Sequence, residues 1–424
     1  MDTWETIRED DRYGIAAAVK TVTDVWKKTP AAAGAGMFRA ISVKEQAEND
    51  KRCREVWGKL NGHLQSFPQA IQGQKMWRER AEKVLSDAMD KDVMFQLGQL
   101  PGDVRNGFLE AARTFVRHTR VFDRELVLED LGQALRNYFV YFMLCLADGS
   151  DRWFHEAIWG YSLLYPYTDN FLDGDKTRQE KAAFNRRLEQ KLNGFKTEAE
   201  DDLEQKVFHM VDSVEDIYPR KIFSGLYDFL LTIYDAQIKS MEQQGKTEKT
   251  AQELLQMSAY KGGASIYVDQ CLIDGYLKEK DILFLTGFGL FLQLADDLQD
   301  VDEDAENGHQ TLMTLSAGAG FLDEIVGRLM SFLKYVFENY WSGEEAYKGF
   351  VLDNSVQLVI MTVFQKKQYF SEAFKRNMEE WSVLPAGFFA WMDAENAKNR
   401  ENMQHSPVNM MEILDVWCQV PSLE

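Results

Sequence analysis

Cysteine is scarce: four residues in 424, Cys53, Cys145, Cys271 and Cys418, with no CxxC pair among them. This excludes a zinc-thiolate spacing and a disulfide framework, and a reduced, cytoplasmic compartment is the expectation. The six histidines fall in no HExxH or other paired-ligand spacing. Only eight prolines occur, and alternating strand patterns are as rare. Positive charge is short too. The 48 Lys and Arg face 68 Asp and Glu, for a net charge of −20, so nucleic acid is excluded as a partner, because phosphate contacts need clustered basic residues. The longest apolar run, Tyr138 to Ala147, is about ten residues, half of what spans a bilayer, and reads as a buried core helix. Met1-Asp2-Thr3-Trp4-Glu5 has neither the basic nor the apolar region of a signal peptide.

What is present is helical periodicity. Apolar residues recur at steps of three and four, as in Leu226, Phe229, Leu230, Ile233 and Tyr234, and again in Ile282, Leu285, Phe288 and Phe291. The expectation is an all-α protein, many helices packed around one deep cavity. Residues 1–100 read as an N-terminal extension of two or three amphipathic helices carrying Trp4, Trp26, Trp57 and Trp77. Pro101-Gly102-Asp103 is the clearest break, and residues 101–424 form the main domain. It looks continuous from about Leu109 to Arg400, with a short tail helix around Met411 to Cys418. Ala31 to Gly36 reads as a small-residue turn.

Three elements carry chemistry. Asp169-Asn170-Phe171-Leu172-Asp173 and Asp296-Asp297-Leu298-Gln299-Asp300 each place carboxylates at i and i+4, on one face of a helix. Two such helices facing each other suit hard divalent metal, and through it a diphosphate. Arg178 follows the first run by nearly one and a half turns, where a planar fork can hold phosphate oxygens. Ordinary acidic helix ends would also account for both runs, most of all for Val301-Asp302-Glu303-Asp304. An EF-hand is excluded, since Ala305 stands where that loop needs Gly and Thr311 where it needs Glu. The third element is Lys261-Gly262-Gly263 within an apolar helix. Glycine there costs about 1 kcal/mol each relative to Ala. Close approach of backbone to a ligand or a local helix break would compensate; a helix cap with a snorkelling lysine is the plainer account.

Together, in this order, the three resemble the class I isoprenoid synthases, the trans-prenyl diphosphate synthases and terpene synthases, over about residues 110 to 370. Asp169 to Asp173 followed by Arg178-Gln179 is similar to DDxxDxxxxRRG. Met257 to Ile266 is similar to MHxxKTGxLI, and Leu292 to Asp300 to FQIxDDxLD. Asn307-Gly308-His309-Gln310-Thr311-Leu312 resembles NGKxTLP, with His309 in place of Lys. Asn170 and Gln179 depart from the elongating pattern, and the N-terminal GK…R segment that serves an isopentenyl acceptor has no counterpart. The resemblance implies an intact allylic half of the site and a missing acceptor half. The DN-type first motif looks closest to the large, or class IB, terpene synthases.

The resemblance implies an isoprenoid-synthase fold, an antiparallel bundle with a central cavity. It implies a terpene synthase, a carbon–oxygen lyase that ionises a linear prenyl diphosphate with several Mg2+ ions. Asp169, Asp173, Asp296, Asp297 and Asp300 would be the metal-binding and catalytic carboxylates. Arg178, Lys261 and Gln293 would bind diphosphate. Tyr165, Phe171, Tyr260 and Phe291 would line a cation-stabilising pocket, with Trp159, Tyr161 and Tyr267 as further candidates. Leu164 and Tyr165 lie where prenyl synthases control chain length, and Pro166 bends this helix. An elongating prenyltransferase, a head-to-head synthase and a non-catalytic isoprenoid-binding protein are the alternatives. Cavity cover, homodimer contact and peripheral membrane contact are the roles open to residues 1–100.

Overall fold

The computed structural model describes residues 13–31, 36–173, 176–242, 249–404 and 409–421. Among them there are eighteen α-helices and no strand, so the all-α expectation holds. In chain order they are α1 (Ile15–Lys28), α2 (Val43–Gln65), α3 (Ile71–Asp90), α4 (Gly102–Phe122), α5 (Leu128–Asp148) and α6 (Glu156–Asp173). Then come α7 (Arg178–Leu192), α8 (Asp202–Ile217), α9 (Ser224–Glu242), α10 (Ala251–Asp274), α11 (Ile282–Gln299) and α12 (Val301–Asn307). The last are α13 (Leu312–Ala319), α14 (Asp323–Asn339), α15 (Glu345–Gln365), α16 (Glu372–Glu379), α17 (Ala386–Gln404) and α18 (Met410–Cys418). The tail helix lies where periodicity put it. No helix among the described residues is long and apolar enough to cross a membrane, and no disulfide forms among the four cysteines.

The chain divides into two compact units. One holds residues 1–37, 138–352 and 366–374; the other holds 38–137, 353–365 and 375–424. This differs from the expected boundary at residue 100 and from a continuous unit over 109–400, and the reason lies in what the early helices bury. In the first unit, α1 packs across α10 and α11, and Trp26 meets Phe332 of α14 edge-on at 5.4 Å. In the second unit, the buried amides of Gln46 and Asn49 on α2 donate to the carbonyls of Glu379, Ser382 and Val383. Arg120 of α4 holds Asp415 of α18 through Nε and Nη2, at 2.8 and 3.2 Å. The partners of the N-terminal helices therefore lie hundreds of residues downstream. Residues 32–35 of the expected small-residue turn lie outside the described residues.

The first unit is built on α10 and α11, which pack against each other more extensively than any other pair. α10 begins with a reciprocal cap: Thr250 Oγ1 accepts from the Glu253 amide while the Glu253 carboxylate accepts from the Thr250 amide. It ends at Gly275, whose φ of 85° suits glycine. α11 carries an aromatic stripe. Phe284, Phe288 and Phe291 stack in sequence, and Phe337 of α14 meets the first two edge-on. α6 packs along α8 and also touches α10, and Pro166 lies inside it without ending it.

Candidate functional site

The Lys261 helix neither breaks nor stops at its glycines; α10 runs unbroken from Ala251 to Asp274. A Cβ on Gly262 would stand 2.1 Å from the carbonyl oxygen of Gly289, and one on Gly289 would stand 2.4 Å from that of Gly262. The glycines let two helix backbones touch. This corrects both the ligand-approach and the helix-break expectations, and the cap as well. The Gly263 amide nitrogen shares this contact, 2.8 Å from a Cβ on Gly289, but a Cβ on Gly263 itself would point away from it, with Tyr267 nearest at 3.6 Å.

The crossing brings the lysine motif to the second acidic run. Asp296 and Asp300 are exposed at the end of α11, while Asp297 is only 7% exposed. Gln293, one turn earlier, donates from Nε2 to Asp297 Oδ1 at 2.8 Å. Burial pushes the Asp297 carboxyl up to about 7. The Lys261 charge and the Gln293 bond oppose that push, and the charges of Asp296 and Asp304 add to it. Asp304 is raised as well, first by burial, with Asp296 adding to the shift and His309 and Lys261 opposing it. Lys261, Asp296, Asp297 and Asp304 thus share one electrostatic neighbourhood. The three carboxylates of the run differ in exposure: Asp296 and Asp300 are exposed, and Asp297 is buried and accepts from Gln293.

The stretch after the run is less solvated than its composition suggests. Asp302 accepts from Lys366 Nζ at 2.7 Å and from the Tyr369 hydroxyl at 2.7 Å. Asp304 pairs with His309 Nδ1 at 3.2 Å. Only Glu303 of the three is exposed. Sequence reasoning missed all three contacts. Lys366 is too remote to be paired with Asp302 by any local pattern, and His309 stood out only as a replacement for lysine.

The first run ends α6, and the side chains of Asp169 and Asp173 lie outside the described residues. Arg178 does not continue that helix. Thr177 caps a new one, accepting from the Glu180 amide, and Arg178 is the exposed first residue of α7. Of the expected pocket residues, Phe171 stacks on Phe184 at 4.0 Å, and Phe291 is fully buried in the aromatic stripe. Tyr260 lines a small apolar pocket with Ile15, Phe229 and Tyr267, with room for about one water. Trp159 is buried and edge-on to His209, and the Tyr267 hydroxyl bonds Thr286. Tyr165 alone among the four first-named candidates is half-buried. Its hydroxyl, with those of Tyr161 and Ser265, ties α6 to α10. The helices bearing all three motifs are therefore neighbours, with α10 touching both of the others.

Among the described residues, no group of three or more His, Cys, Asp or Glu stands in a metal-holding arrangement. The oxygen donors at Asp296 and Asp300 are of the kind that a hard divalent ion takes.

The buried Asp297 makes stability depend on pH. In the unfolded chain its pKa is near 3.9; in the fold it is about 7. Between those values the folded state holds the extra proton, so stability falls as pH rises. Asp297→Asn removes the charge. With chelator present, its stability relative to wild type should climb by up to about 1.4 kcal/mol per pH unit from about pH 5 to 7. Urea melts across that range check this, and a constant or shrinking difference would refute it.

No family model matches this chain, and neither a curated protein nor a solved structure matches it.

Proposed function

We propose that the protein is a class I terpene synthase of the isoprenoid-synthase fold that ionises a linear prenyl diphosphate. The observation that carries this reading is the Gly262–Gly289 crossing. It sets Lys261 among the carboxylates of the second acidic run, a fixed cation beside outward-facing oxygen donors. Asp296 and Asp300, together with Asp169 and Asp173 of the first run, would hold Mg2+. When bound, the metal neutralises charge on the departing diphosphate and so lowers the barrier to carbon–oxygen cleavage.

Lys261 and Arg178 bind the remaining phosphate oxygens. Asp297 is held by Gln293 within α11. In the proposed fold the hydrocarbon chain would run from this grip into a central cavity, whose apolar and aromatic walls would keep water from the carbocation. A cytoplasmic setting accords with the four thiols and the lack of a disulfide.

Purified protein should release diphosphate from farnesyl, geranylgeranyl or a longer prenyl diphosphate with magnesium present, giving a hydrocarbon or alcohol. A longer diphosphate formed only when isopentenyl diphosphate is added would make it an elongating enzyme. No release under any condition would favour an isoprenoid-binding protein.

A further inference from the structure

Three hydroxyls meet one turn below the proposed diphosphate grip. Tyr161 Oη and Tyr165 Oη are 2.8 Å apart, and Tyr165 Oη and Ser265 Oγ are 2.8 Å apart. Tyr161 also donates to the Ser265 carbonyl at 3.2 Å and lies 3.2 Å from Ser265 Oγ. Tyr165 is four residues before Asp169 on α6, and Ser265 is four after Lys261 on α10. Residues four apart stack on one helix face, about 6 Å along the axis. At the foot of α6, His155 bonds the Leu272 carbonyl further along α10 at 2.9 Å, so the two helices run antiparallel. Both steps of four residues therefore lead the same way, from the grip into the bundle. Tyr161 is fully buried, and burial holds its phenol well above its ordinary range. Tyr165 retains partial exposure.

We propose that Tyr165, supported by Ser265, is the proton acceptor that ends the reaction. This deepens the function proposed above and rests on it. When the carbon–oxygen bond breaks, both electrons leave with diphosphate. A C–H bond next to the cationic carbon then breaks, its electron pair becomes the alkene π bond, and the proton goes to Tyr165 Oη. Tyr165 passes its own hydroxyl proton to Ser265 Oγ, and the partly exposed Ser265 gives its proton to solvent water. The sum is prenyl diphosphate to alkene, diphosphate and one proton, with both hydroxyls restored. Tyr161 stays neutral and holds the Tyr165 oxygen in place. With this acceptor removed, water takes the cation and an alcohol forms.

The test is the alkene-to-alcohol ratio per diphosphate released, measured on the prenyl diphosphate that wild type turns over. Tyr165→Phe and Ser265→Ala should each lower it on the order of tenfold or more. Ser265→Thr, which keeps a hydroxyl, should restore most of it. If Tyr165→Phe does not fold, the Ser265→Ala and Ser265→Thr pair decides. An unchanged ratio in Ser265→Ala, or equal losses in Ser265→Ala and Ser265→Thr, overturns the proposal, as does a wild-type product that is alcohol alone. A wild type that releases no diphosphate overturns the proposed function along with it; release with unaltered products overturns this step only.

Discussion

Asp296→Ala should reduce diphosphate release by about a hundredfold to a thousandfold and leave the fold intact. The large effect follows from what the carboxylate is asked to do. Charge develops on the leaving diphosphate, and removing one preorganised electrostatic partner at such a site costs that much. The small structural effect follows from where Asp296 sits. It is exposed at the end of α11, and exposed substitutions away from special features shift stability by about 0.5 kcal/mol or less. Asp296 also raises both Asp297 and Asp304, so its loss relieves repulsion among buried carboxyls. Turnover and a thermal melt measured together separate the two effects. Undiminished turnover would end the assigned role, and a collapsed transition would contradict the exposed placement.

Gly262→Ala should destabilise the protein by about 4 kcal/mol, well above the ordinary cost of overpacking. The added methyl would lie 2.1 Å from the Gly289 carbonyl oxygen and 2.6 Å from its carbon. Both are backbone atoms, so no side chain can swing away. The helices would have to part by about 1 Å to reach ordinary contact, undoing the closest packing in the first unit. The neighbouring glycine supplies the control. A Cβ at Gly263 meets only Tyr267, at 3.6 Å, and alanine favours a helix by up to about 1 kcal/mol. Gly263→Ala should therefore be neutral or stabilising. Equal denaturation midpoints for the two variants would show that the crossing is not limited by backbone contact.

The same pair shows how far the sequence could be read. Two adjacent glycines after a lysine in an apolar helix were visible as a cost without a reason. The reason lay at Gly289, in a different helix, and nothing local couples the two. Periodicity served well where an element depends on its own residues, as in the tail helix at Met410–Cys418 and the buried face of α11 formed by Ile282, Leu285, Phe288 and Phe291. It failed where partners are remote. Arg178 looked like a continuation of the first acidic run because helix phase carries on paper, yet Thr177 and Glu180 start a new helix there. Asp296 and Asp297 are equivalent letters in a motif. Only packing shows that one faces outward and the other accepts from Gln293.

The interleaving of the two units bears on synthesis. Residues 38–137 pack with 353–365 and 375–424, so their core lacks its partners until more than two hundred further residues have left the ribosome. At ordinary elongation rates that delay is roughly 10–40 s, during which the apolar faces of α2, α3 and α4 have no final cover. The chain is therefore expected to lean on chaperones while nascent. A truncation near residue 100 would not trim an appendage; it would remove α1 from one unit and α2 and α3 from the other.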